Sequence, residues 1–189
     1  MLYKNPYKDI PTTIRKGSYV FCDLSHYSNF VHEHNLKLIL NYLTTYYNWI
    51  IPLAYKYHGR VIDVLGDGLG SLFWGQNHAQ HAIKFGLQIF HDLPKQNIPF
   101  DLKIGISSGK IVSKNIINNN INVFTLVGDG IIEACRSENL SHSIKSNFLI
   151  TSHTYKRLGI KDKSLFTYKG KFHLKGFEEK TDIYILKIN

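Results

Sequence analysis

Apolar residues crowd positions 17–24, GSYVFCDL, and the run closes on a single carboxylate, Asp23. A short apolar run rich in aromatic and β-branched residues predicts a strand. Further on, Leu36, Leu40, Leu43, Tyr47, Ile50 and Ala54 recur at helical spacing, so a helix over 33–57 is expected with that stripe buried. Pro52 is expected to kink or end it, because proline has no N–H for the helix ladder. Residues 60–75, RVIDVLGDGLGSLFWG, are two apolar runs joined by Gly-Asp-Gly, a hairpin signal. Asn77 is expected to cap a second helix with Ala79, Ile83, Leu87 and Phe90 as its stripe and Pro94 just beyond its end. Strands are expected at 100–107, 123–127, 147–151, 164–174 and 181–188, a helix at 129–140 and a short one near 152–158. The Asn-rich stretch 113–122 reads as an exposed turn or the tip of a long hairpin. The order βααββαββαββ, with no Pro/Gly-rich linker, predicts one α+β domain whose helices pack on a mostly antiparallel sheet.

Composition narrows the class. The 189 residues suffice for a single core, and 43% hydrophobic with 20% charged residues is a globular balance. The longest greasy stretch, 36–55, is interrupted by Asn41, Thr44, Thr45, Asn48 and Pro52, so it reads as a buried helix and no membrane association is expected. The first residues carry no apolar segment of signal-peptide type, and Cys22 and Cys135 show no metal-ligand spacing. Both features fit a cytoplasmic protein with reduced thiols. A net charge of +9 points to an anionic partner. The lysines are scattered and lack aromatic interleaving on one face, so a phosphate-bearing small molecule is favoured over a nucleic acid.

Candidate chemistry starts at the two strand ends. A lone acid after a strand is most often a solvated loop residue, and a Gly-Asp-Gly turn is most often only a hairpin. Asp23 and Asp67 together, with Ser25 and Ser28 beside the first, make a stronger set. Hard cations such as Mg²⁺ take oxygen ligands and commonly combine one or two carboxylates with substrate phosphates.

Five segments in order carry a resemblance: VFCDLSHYS (20–28), HGRVIDVLGDGLGSLF (58–73), DLKIGISSGKI (101–111), FTLVGDGIIEACR (124–136) and LKGFEEKTDIYIL (174–186). Together they resemble the catalytic domain of class III nucleotidyl cyclases, the adenylate and guanylate cyclases. The resemblance implies a ferredoxin-like class III cyclase fold over residues 17–189, after an N-terminal extension at 1–16. It implies a homodimer with active sites at the interface and a site for two Mg²⁺ or Mn²⁺ ions at Asp23, Asp67 and Leu24. By the same resemblance, the turn Ser25, His26, Tyr27 and Ser28 wraps the triphosphate. Arg136 and Lys175 come from the partner chain, Arg136 to the α-phosphate and Lys175 to the terminal phosphates. Asp63 and Thr125 occupy the base-reading positions. The implied reaction is attack of a 3′-hydroxyl on the α-phosphorus of the same nucleotide, with loss of pyrophosphate.

Three positions depart from the family pattern. Ile132 stands where an asparagine normally assists the transition state, and losing one such donor costs about 2.7–4 kcal/mol if nothing replaces it. His26 stands where a small residue is common. Asp63 replaces the lysine that adenylate cyclases present to adenine N1. An ionised carboxylate only accepts hydrogen bonds, so ATP is disfavoured and GTP, CTP and UTP remain open. Thr125 can donate or accept and excludes little. The short chain with a non-adenine pocket also resembles the pyrimidine cyclases of bacterial Pycsar antiphage systems, which make cyclic CMP or cyclic UMP for a separate effector. The expectation is therefore a CTP or UTP cyclase. A guanylate or adenylate cyclase and a catalytically impaired nucleotide-binding module are the alternatives.

Overall fold

β1 (Arg15–Leu24) alternates between two cores because strand side chains point to opposite faces at every step. Val20, Cys22 and Leu24 enter one buried cluster, while Tyr19 and Phe21 pack in another on the reverse face. The structure, a computed structural model, describes residue 10, residues 12–118 and residues 121–187.

After β1 come α1 (Tyr27–Glu33), α2 (Leu36–Lys56), the hairpin β2 (Gly59–Leu65) and β3 (Gly68–Trp74), and α3 (His78–Asp92). Next are β4 (Leu102–Asn118), β5 (Ile121–Val127), α4 (Asp129–Asn139), α5 (Ser141–Ile144) and β6 (Phe148–Thr151). The short helices α6 (Ser152–Tyr155) and α7 (Ile160–Lys163) precede a final hairpin, β7 (Phe166–His173) and β8 (Lys180–Leu186). Among the described residues the strands join in the order β2-β3-β1-β4-β6-β8-β7, with β5 paired to β4 alone. Every pairing is antiparallel except β4 with β6. This is the expected α+β arrangement.

α2 and α3 cover one face. Tyr46, Ile50 and Ala54 from α2 and Ala79, Ala82, Ile83, Phe85 and Ile89 from α3 meet Leu102, Ile104 and Ile106 of β4. Each such large side chain contributes about 1.5–3 kcal/mol by leaving water. α4 covers part of the other face, where Ala134 joins Tyr19, Ile62, Leu72 and Ile111.

Several local expectations are corrected. Pro52 does not end α2, which continues to Lys56. Pro52 and Asn48 both face solvent, so the carbonyl that loses its helical partner is hydrated. The stripe expected on α2 fails only in its first turns: Ile50 and Ala54 are buried and Leu43 and Tyr47 pack half-buried against the core, whereas Leu36 and Leu40 are exposed. Asn77 does flank α3, but in a left-handed conformation with no side-chain capping bond. The stretch 113–122 forms the end of a long hairpin, the second of the two alternatives expected for it. β4 continues to Asn118 and pairs with β5 from Ile121, and residues 119–120 lie outside the described residues.

Candidate active site

Antiparallel register puts Asp23 of β1 directly opposite Lys103 of β4, which sends both side chains to one face of the sheet. The two-residue loop between Leu65 and Gly68 carries Asp67, with Gly66 at φ 62° making the turn. Tyr47 of α2 donates its hydroxyl to the Gly66 carbonyl and pins that loop. The outcome is an open pocket of about 240 Å³ lined by Asp23, Leu24, His26, Tyr27, Ser28, Asn29, Asp67, Lys103 and His142.

The electrostatics fit a cation site. Asp23 is pushed up to about 6, first by burial and then by the neighbouring charge of Asp67. Asp67 is also raised by burial, although the Leu24 backbone amide and Lys103 oppose the shift. Two carboxylates this close resist ionising together. A divalent cation between them relieves both the crowding and the desolvation. Among the described residues no group of three or more His, Cys, Asp and Glu side chains could hold a metal. Two carboxylates completed by backbone, water or phosphate oxygens would suit Mg²⁺ or Mn²⁺.

Lys103 is 6% exposed, and its ammonium donates to His142. Glu138, also buried, is pushed up to about 7 by burial and by Asp23, with Lys103 pulling the other way. The pocket therefore sets one buried lysine beside Asp23 and Asp67, with the Glu138 charge felt nearby.

The remaining candidates are placed differently. Ser25 is buried, donates its backbone N–H to the Asp101 carbonyl, and lines an adjoining hollow with His26 and Phe100. Asp63, Thr125, Arg136 and Lys175 are absent from the lining of the carboxylate pocket. Asp63 accepts a 2.5 Å hydrogen bond from the Tyr19 hydroxyl. It also lies near Cys135 of α4, whose thiol is pushed up to about 11 by burial first and by Asp63 next. Thr125, on β5, is half-buried opposite Lys114. Arg136 and Ile132 sit one turn apart on the exposed side of α4, and Lys175 is exposed between β7 and β8. Within one chain, the carboxylate pocket is thus lined by none of Asp63, Thr125, Arg136 and Lys175.

Residues 12–188 match the adenylate and guanylate cyclase catalytic domain family. The chain belongs to that family. The cyclase domain is 22% identical over 174 residues to the terminal-differentiation-specific adenylate cyclase of Dictyostelium discoideum, covering 87% of this chain but only 8% of that protein's length. Its fold is similar to the adenylyl cyclase CyaB of P. aeruginosa, at TM-score 0.78 and 21% identity over 94% of this chain and 96% of the other. It is also similar to the guanylate cyclase domain of RhGC from Catenaria anguillulae in complex with GTP, at TM-score 0.77 and 18% identity over 93% and 98%.

Sequence reasoning passed over Lys103, His142, Tyr47 and Tyr19 in this cyclase domain. Lys103 left one visible signal, a lysine inside the apolar strand LKIGI. The other three left none, because their roles depend on which elements meet in space. Among the described residues no helix is long and apolar enough to cross a membrane.

Proposed function

We propose that this domain cyclises a ribonucleoside triphosphate, CTP or UTP, to the 3′,5′-cyclic monophosphate and pyrophosphate. The observation that carries the reading is the half-buried, mutually perturbed Asp23–Asp67 pair beside Lys103 and the turn through Ser28. Asp23, Asp67 and the Leu24 backbone would hold Mg²⁺ or Mn²⁺, which would supply Lewis-acid activation of the attacking hydroxyl and neutralise phosphate charge. The protein's own residues bind and orient. Lys103 and the segment Ser25, His26, Tyr27 and Ser28 face the triphosphate. The O3′–phosphorus bond forms as the bond to pyrophosphate breaks, and the hydroxyl proton leaves to solvent. The reaction needs no protein nucleophile, because positioning and charge stabilisation dominate phosphoryl chemistry.

Arg136 and Lys175 serve a second copy of the chain, so the working unit is a head-to-tail homodimer. Their exposure and their absence from the lining of the carboxylate pocket support this assignment. Asp63 and Thr125 read the base. The carboxylate accepts from cytosine N4–H or uracil N3–H and offers nothing to adenine N1. The product acts as a diffusible second messenger on a separate effector, as in the antiphage systems the sequence resembles.

The test is to incubate the protein with each of the four ribonucleoside triphosphates and Mn²⁺ and identify products by mass spectrometry. Cyclic CMP or cyclic UMP is expected, and Asp67→Ala should abolish it. Exclusive turnover of ATP, or activity surviving Asp67→Ala, would overturn the reading. For the antiphage role, cells carrying the wild-type protein with its neighbouring genes should resist phage, and Asp67→Ala cells should not. A second reading rests on Ile132, which puts an apolar side chain one turn from Arg136: nucleotide binding with no cyclic product under either metal would favour a binding module.

A further inference from the structure

β2 does not run regularly. Val61 pairs with Ser71 and Asp63 with Gly70, so Ile62 is an extra residue and the strand bulges there. In a regular strand, consecutive side chains point to opposite faces. Here Ile62 packs in the cluster that contains Tyr19, and the next residue, Asp63, is hydrogen-bonded to that same Tyr19. Bulges re-aim side chains in this way and recur beside active sites.

The contact is closely fitted. Tyr19 is 2% exposed, and its ring is held among Ile62, Leu72, Ile111 and Ala134. Its hydroxyl crosses over Gly70 of β3. A Cβ at that position would fall 1.7 Å from the Tyr19 oxygen and 3.2 Å from Asp63 Oδ2, so only glycine leaves room for the pair. Burial and the adjacent Asp63 charge raise the phenol far above its ordinary value. The hydroxyl therefore stays protonated and donates at all working pH. Asp63 Oδ2 is engaged by that bond, and among the described residues no hydrogen bond reaches its other oxygen.

We infer that Tyr19 is a positioning residue for base selection: through the β2 bulge it clamps one oxygen of Asp63 and fixes the other as an acceptor for an N–H donor on the base. The inference rests on the proposed reading that Asp63 meets the base. A freely rotating carboxylate tolerates several base edges. A clamped one presents a lone pair in one direction, and an edge offering an acceptor there leaves a polar atom unpaired.

The experiment measures equilibrium binding of the four 3′-deoxynucleoside triphosphates, which lack the attacking hydroxyl, by calorimetry in Mg²⁺. The proteins are wild type, Tyr19→Phe, Asp63→Asn and the double variant. Phenylalanine keeps the buried ring and removes only the donor. The readout is the ratio of affinities between bases, which a general loss of stability would not change. The wild type should prefer 3′-deoxy-CTP or 3′-deoxy-UTP over 3′-deoxy-ATP. Tyr19→Phe should shrink that preference about tenfold, the size of one charge-assisted hydrogen bond. Asp63→Asn should shrink it at least as much, with no further loss in the double variant. If Asp63→Asn alters the ratios and Tyr19→Phe does not, or if the two effects add, Tyr19 does not act through Asp63 and the inference fails. If Asp63→Asn leaves the ratios unchanged, the base-reading assignment itself fails and takes the inference with it.

Discussion

Asp23 is the residue on which the carboxylate site turns, and its environment has a consequence without any cation. Its folded-state value, about 6, lies above the ordinary 3.8 because of burial and then Asp67. A carboxyl raised on folding contributes stability that is fully present below its unfolded value and lost as pH rises through the folded one. In metal-free buffer, Asp23→Asn should therefore gain thermal stability relative to wild type as pH climbs from about 4 to about 7. Calorimetric midpoints across that range check it, and added Mg²⁺ should raise the wild-type midpoint more than the variant's. A gap between the two proteins that stays constant with pH would mean that Asp23 is not held in a crowded, buried state.

Helix α2 acts on the site from a distance. Its C-terminal half is anchored by Ile50 and Ala54 in the core, and Tyr47 on the same element reaches the Gly66 carbonyl. The Asp67 loop is thus tied to the helix layer as well as to its own hairpin. Tyr47→Phe should cost about 1 kcal/mol of stability, the net value of one hydrogen bond. It should also raise the Mn²⁺ concentration needed for half-maximal activity while leaving the saturated rate nearly unchanged. Titrating activity against metal for the two proteins separates these effects. A fall in the saturated rate with no change in metal requirement would place Tyr47 elsewhere in the mechanism.

At the scale of the whole molecule, the separation of two residue groups matters most. The carboxylate pocket holds Asp23, Asp67 and Lys103, while Arg136 and Lys175 face solvent elsewhere. In the proposed two-fold dimer, each site would take one group from each chain. Asp67→Ala and Arg136→Ala, each inactive alone, should then complement when mixed. Each heterodimer has one intact site, so equal mixing should restore about a quarter of wild-type activity. Cyclic-nucleotide yield from the mixture is the readout, and no recovery after confirmed subunit exchange would sink the shared-site arrangement.

The residues themselves determined a good deal. Apolar runs and their spacing marked the strands and main helices, and the order of five segments carried the family. The two acids were visible because each ends an apolar run beside turn residues. Other features were decided only when the chain folded. Pro52 sits inside a helix because its face is solvated, and Leu36 and Leu40 stay exposed although their spacing matches a buried stripe. Lys103 joins Asp23 through strand register, and Asp63 meets Tyr19 through a one-residue bulge. Periodicity records which side of its own element a residue occupies. It holds no information on which element lies opposite, nor on where a strand slips by one residue and turns the next side chain to the other face.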